Sequence, residues 1–319
     1  MTQYFSNFLD QHINQPCESY VDFLSQKIQE KYPNALCIIF YGSCLRKKNI
    51  EKLDDELFDF YVVVDSYLET YSRKKMAFFN YLLPPNVFFI SVPWQNHMLK
   101  AKYAVINYDQ FYRGVSPKAW QPALWARFSQ PIRLIYTKND KARIQIINAL
   151  KLASQTIIHQ AIQLVGSNFT IKKLWVSIFS KTYGAELRPE KSNKAVDLYM
   201  SNQTYYQHLT PMILKDLGYK WSEETTDNEI IYRLKEIKFS PYHIYGQSLL
   251  WFLRSIWARI LNFLRLMKAS FTFDNGVDYV LWKIKRHSGI TMTLTPWQKK
   301  HPLLASPVIL WKLYKQRIL

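Results

Sequence analysis

The stretch Ile38-Ile39-Phe40-Tyr41-Gly42-Ser43 constrains this chain more than any other. An apolar run that stops at a glycine and a small hydroxyl residue reads as a buried strand ending in a sharp bend. A second apolar run, residues 57–64, follows a polar stretch and is interrupted by Asp59. An ionised carboxylate among Leu, Phe, Tyr and Val requires a cationic partner or a metal ion. At such a bend glycine lets the backbone approach a ligand closely, and Ser43 offers a hydroxyl and a main-chain N–H to phosphate oxygens. A carboxylate on the neighbouring strand can hold the metal that bridges those phosphates. From these residues alone, an ordinary strand-end turn beside a surface Asp59 remains the competing interpretation.

Further strands are expected at 87–92, 102–107 and 131–136, and helical spacing of Tyr20, Phe23, Leu24, Ile28 and Tyr32 predicts a helix over 18–32 that Pro33-Asn34 terminates. From Lys141 the texture changes to long amphipathic patterns, with Asn168-Phe169-Thr170 in the position of a cap before the next helix. The expected class is therefore α+β: a sheet-bearing domain over 1–140, a mostly helical domain over 141–245 and a basic C-terminal region over 246–319.

With 42 Lys plus Arg against 24 Asp plus Glu, the net charge of +18 calls for an anionic partner or surface. The excess concentrates at the C-terminal end, where residues 240–319 contain only Asp274 and Asp278 as acids. Three cysteines, Cys17, Cys37 and Cys44, make no disulfide framework and show no zinc-site spacing, which points to a reducing compartment. The first twenty residues lack the basic and apolar segments of a secretory signal and the arginines of an organelle presequence. Asn80, Pro84, Pro85 and Pro93 break the longest uncharged stretch, 76–99, so no membrane span is expected there.

Arg46, Lys47 and Lys48 follow the Gly-Ser turn directly and suit phosphate neutralisation, although a solvated basic loop is as good a description of any one of them. Asp65 shares a strand face with Asp59, but six residues at about 3.3 Å each separate the two by roughly 20 Å. Asp54, Asp55 and Glu56, in the preceding loop, could curl toward the site.

Strand, Gly-Ser turn and acidic strand together resemble a nucleotidyltransferase of the polymerase-β type. More narrowly, Tyr41-Gly42-Ser43, Asp59-Phe60-Tyr61-Val62-Val63-Val64-Asp65, Lys102-Tyr103-Ala104-Val105-Ile106, Leu124-Trp125-Ala126-Arg127-Phe128-Ser129-Gln130-Pro131-Ile132 and Tyr183-Gly184-Ala185-Glu186-Leu187-Arg188 with Lys194 are similar, in order and spacing, to the mitochondrial-type phosphatidate cytidylyltransferases. The chain departs from that family at Cys44, Ser66 and Ala104. The resemblance implies a nucleotidyltransferase domain, a winged-helix-like domain and a C-terminal amphipathic helix. It also implies transfer of CMP from CTP to phosphatidic acid with Mg2+, on the cytoplasmic, inner face of a membrane. Carried over residue by residue, Gly42 and Ser43 would hold the triphosphate, Asp59 the metal, and Arg127, Arg188 and Lys194 would be candidates for phosphate contacts. Arg46 and Lys48 join the expected phosphate-binding set from their place after the turn, and Asp65 is expected as a second catalytic carboxylate that could share the ion of Asp59 only if the strand bends sharply.

Two segments, 248–268 and 308–319, mix Trp, Phe, Leu and Ile with Arg and Lys in the manner of interfacial helices. For 248–268 core packing is the favoured expectation, with Arg254, Arg259 and Arg265 on the solvent side and the aromatics buried. For 308–319 an anionic membrane surface is the favoured partner. Nucleic acid is disfavoured because the basic tail is so apolar. The alternatives are a nucleotidyltransferase with an RNA or small-molecule acceptor, and a non-catalytic membrane-binding scaffold.

Overall fold

The computed structural model describes residues 2–47, 50, 52–184, 194–226, 229–235, 241–272, 294–295 and 297–298. Lys48, Arg188 and the terminal segment 308–319 lie outside the described residues. Helices α1 (Thr2–Ile13) and α2 (Ser19–Lys31) lead into strand β1 (Ala35–Tyr41), the short helix α3 (Ser43–Arg46), a 3-10 turn (Leu53–Asp55) and strand β2 (Phe58–Val64). Helices α4 (Tyr67–Thr70) and α5 (Lys74–Leu82) precede the hairpin of β3 (Asn86–Trp94) and β4 (His97–Asn107), and then come α6 (Tyr108–Val115), α7 (Ala123–Phe128) and β5 (Arg133–Thr137). Beyond them lie α8 (Asp140–Val165), β6 (Asn168–Thr170), α9 (Ile171–Gly184), α10 (Lys194–Met200), α11 (Gln203–Asp216), β7 (Trp221–Thr226), β8 (Glu229–Leu234) and α12 (Pro241–Thr272).

The result is an α+β fold with a mixed five-stranded sheet ordered β3-β4-β2-β1-β5, in which β2 and β4 run parallel and the other pairs antiparallel. Strand side chains alternate between faces, so each strand feeds two layers. Cys37, Ile39, Tyr61, Val63, Ala104 and Ile106 pack under α1, α6, α7, α8, α9 and α11. Ile38, Phe40, Phe58, Phe60, Val62 and Val105 pack on the other side against α2, Tyr67, Tyr71 and Ala77. Burial on both faces explains why β1 and β2 read as continuous apolar runs rather than alternating ones.

Among the described residues, the helical elements after residue 140 share their core with the sheet. Ile146, Ile157, Trp175, Phe179, Tyr206 and Trp251 belong to the same cluster as Tyr41 and Tyr61. Asn139 caps α8, its side chain accepting from the Ala142 N–H at 2.9 Å. Thr170 serves two purposes: its backbone joins β6 to β8, and its hydroxyl accepts from the Lys173 N–H at 3.2 Å at the start of α9. The small sheet is ordered β6-β8-β7, and almost all of β7 faces solvent, which is why its polar sequence gave no strand signal.

Helix α12 corrects one expectation. Trp251, Arg254, Ala258 and Lys268 face inward, whereas Leu249, Phe252, Ile256, Trp257, Ile260 and Leu264 are exposed. The cations were expected on the solvent side, but two of them find better partners inside. Arg254 donates to Gln160 Oε1 at 2.7 Å and lies 5.6 and 5.2 Å from the rings of Trp120 and Trp251. Arg265 donates to the Pro84 carbonyl and to Gln121 Oε1, both at 2.8 Å. Lys268 donates to the carbonyls of Leu83 and Pro85. Only Arg259 is exposed as expected. Hydrogen bonds to the α5–β3 turn and cation–π contacts hold these buried charges, so the register of α12 is set by its arginines and lysine.

Burial, reinforced by the charge of Arg265, pushes the Lys268 ammonium down to about 7. The unfolded chain keeps that proton into the ordinary lysine range near 10.4. Unfolding therefore takes up a proton between those values, and this group makes stability rise with pH there. Urea unfolding of the wild type and of Lys268→Met should show the wild type gaining stability relative to the variant between about pH 7 and pH 10.

Candidate active site at the Gly42 bend

Strand β1 ends in Tyr41, which is paired across the ladder with Asp59; Asp59 in turn pairs with Lys102 of β4, and Lys102 with Phe89 of β3. One row of the sheet thus places the glycine bend and the two charged residues that interrupt β2 and β4 side by side. Gly42 has φ +97°, a left-handed conformation that L side chains rarely adopt. A Cβ there would sit 3.0 Å from Asp59 Oδ2 and 3.3 Å from Asp59 Cβ, so the backbone of the bend lies directly against the carboxylate.

Lys102 Nζ stands 2.9 Å from Asp59 Oδ1, with the two side chains only 21% and 20% exposed. The cationic partner that a carboxylate in an apolar strand requires is therefore a lysine one strand away. Lys102 was missed as a site residue, although it interrupts an apolar strand just as Asp59 does, and that interruption was the available signal. Asp65 lies past the far end of β2, exposed, and is not brought to Asp59. Strand geometry keeps the two apart, so Asp65 is not a second ligand to an ion held by Asp59.

The acidic loop is engaged elsewhere. Asp54 accepts from the Met98 N–H at 2.7 Å and contacts His97 Nδ1 at 2.8 Å, and Lys100 donates to its carbonyl. The Met98 N–H and then His97 hold the Asp54 carboxyl below its ordinary range. Glu56 pairs with Lys47, and the Cys44 thiol donates to Glu56 Oε2 at 3.5 Å and to the Leu57 carbonyl at 3.2 Å. Burial, and then the charges of Glu56 and Asp59, push that thiol up to about 12, which keeps it a neutral donor beneath α3. Lys47 therefore closes the loop rather than facing a ligand. Among the described residues no three His, Cys, Asp or Glu side chains are grouped for a metal. Asp59 offers one carboxylate, and one carboxylate completed by phosphate oxygens and water is an ordinary magnesium donor set.

Ser43 is exposed at the start of α3. Arg46 lies at its other end, and its charge is felt by the buried Tyr206 phenol. Burial raises that phenol well above its ordinary value, and the Arg46 charge opposes the rise. Arg127 donates from Nη1 to the Tyr61 hydroxyl at 3.2 Å and lies 5.4 and 5.9 Å from the rings of Tyr41 and Tyr61. With Ala123, Ala126, Thr182 and Tyr183 it lines a shallow cleft. Tyr183 receives a hydrogen bond from Gln130 Nε2 at 3.1 Å on its hydroxyl, and Lys194 Nζ lies 5.2 Å from its ring. Gly42, Asp59, Arg127 and Lys194 are thereby joined through Tyr41, Tyr61 and Tyr183. These tyrosines and Gln130 stand in the quoted motifs without an expected role at the site, and Thr182 carried no signal.

The arrangement sets one carboxylate and Lys102 at a bend where backbone can approach a ligand, with Arg127 held on the rings of Tyr41 and Tyr61 and Lys194 on that of Tyr183. That chemistry suits a polyanion. Gly42→Ala should lower the free energy of unfolding by about 1–3 kcal/mol in urea titrations, because the left-handed backbone and the Asp59 contact both resist a Cβ. Gly184→Ala, where a Cβ meets nothing within 4 Å, should leave stability nearly unchanged. No protein-family model and no curated protein matches the chain.

Proposed function

We propose that the chain is a magnesium-dependent nucleotidyltransferase that moves CMP from CTP to phosphatidic acid, giving CDP-diacylglycerol and pyrophosphate. The observation that carries this reading is the contact between the Gly42 bend and the Asp59 carboxylate, the pairing that a triphosphate-holding turn and a metal-holding strand require. The CTP and phosphatidic acid assignments come from the motif resemblance. The sheet up to residue 140 would form the catalytic domain. The strand order β6-β8-β7 behind α8, α9 and α11 suits a winged-helix-like second domain over 141–245.

Asp59 would hold the ion, which when bound supplies charge neutralisation on the triphosphate. Gly42 leaves room for the β- and γ-phosphates against the backbone, and Ser43 offers its hydroxyl and N–H to them. Arg127 and Lys194 neutralise the charge that builds on the leaving pyrophosphate, with Arg188 a further candidate. The phosphate oxygen of phosphatidic acid bonds to the α-phosphorus while the bond to the bridging oxygen of pyrophosphate breaks. That nucleophile is already ionised, so no protein base is required. Among the described residues no helix is long and apolar enough to cross a membrane, and a peripheral protein on the inner face of a bilayer fits the reading.

The ion pair with Lys102 favours a second reading, in which Asp59 is satisfied without a metal and the chain binds anions as a non-catalytic scaffold. Incubation of purified protein with labelled CTP, magnesium and phosphatidic acid separates the two. Lipid-extractable label supports transfer, whereas no label with any acceptor supports the scaffold. Asp59→Asn should abolish labelling and leave the thermal unfolding midpoint within a few degrees of the wild type. Retained activity would remove Asp59 from the metal site.

A further inference from the structure

Helix α12 turns Arg254 and Lys268 inward and leaves most of its large apolar side chains outward, with Arg259 also exposed, a pattern opposite to that of a helix on a water-facing surface. The outward apolar positions 249, 252, 253, 256, 257, 260 and 264 lie on one side of the helix and form one stripe. At its far end the helix is tied to the turn after α5 through Arg265 and Lys268. Helix α5 exposes Phe78, Tyr81 and Leu82 next to Arg73, Lys74 and Lys75, which are themselves exposed. The connection between α6 and α7 adds exposed Trp120 and Lys118. No Asp or Glu occurs in residues 71–107, in 110–139 or along α12. The surface therefore combines large apolar side chains, aromatic rings and a rim of cations without a single carboxylate on the segments that build it.

We propose that the outer face of α12 and the exposed face of α5 form a docking surface for an anionic lipid bilayer. Trp, Tyr and Phe suit the headgroup boundary, aliphatic side chains enter the acyl region, and the rim Lys and Arg are attracted to an anionic leaflet. A second copy of the chain is disfavoured as occupant, because face-to-face pairing would oppose two cationic rims. The proposal is independent of the transfer reaction and assigns docking to described elements rather than to 308–319.

The test uses the full chain and vesicles of phosphatidylcholine with or without phosphatidylglycerol, free of phosphatidic acid and CTP, so that loss of transfer activity and loss of docking are read separately. Cosedimentation should show binding to the phosphatidylglycerol vesicles. Lys74→Glu with Lys75→Glu should weaken it about tenfold or more. Ile256→Cys in a Cys17→Ser background, labelled with an environment-sensitive fluorophore, should shift to the blue when those vesicles are added, and Phe252→Ser with Trp257→Ser should suppress that shift. Circular dichroism of each variant verifies folding. A label at 256 that stays in water while the protein binds vesicles overturns the proposal, as does absence of vesicle binding. So does a dimer in light scattering that Trp257→Ser converts to monomer.

Discussion

The ion pair between Asp59 and Lys102 is the constraint on which the candidate site depends. Two charges in adjacent parallel strands of a sheet covered on both faces each lose part of their hydration, and their pairing offsets part of that cost while the remaining exposure to water lets either persist alone. Their row of the sheet ends at Gly42, whose left-handed backbone leaves Asp59 Oδ2 no room for a side chain opposite. Geometry of this kind holds the carboxylate against the bend with one lysine beside it. That is a workable starting point for gripping a phosphate-bound cation.

Much of the sheet was legible because its strands are buried on both faces and therefore show as plain apolar runs. Ala35–Tyr41 and Phe58–Val64 fall almost where the apolar pattern puts them, and the helix Ile171–Gly184 matches its amphipathic segment. Strands β7 and β8 escaped notice because β7 faces water and carries no periodic apolar signal. The site was half legible. Glycine and aspartate announced themselves by breaking apolar strands, but the contact between them is a matter of ladder register, which no single strand encodes. The tyrosines that connect Arg127 and Lys194 to the bend look like core residues in sequence and are only partly that.

Polarity of α12 was misjudged for a physical reason worth stating. Amphipathicity in a sequence identifies two faces without saying which one meets the protein. Here the carbonyls of the α5–β3 turn, the amide of Gln160 and the rings of Trp120 and Trp251 offer the arginines and the lysine partners that water cannot match in direction. The protein thus trades apolar contact along this helix for directed polar contact, leaving the greasy stripe outside.

The apolar cluster that runs from Phe5 through Tyr41 and Tyr61 to Trp175 and Trp251 crosses the border between the sheet and the helices behind it without a seam. Two halves that share one interior cannot hinge about each other like the jaws of a clamp. Loosening either half therefore loosens the other, and the bend is only as rigid as the helices behind it.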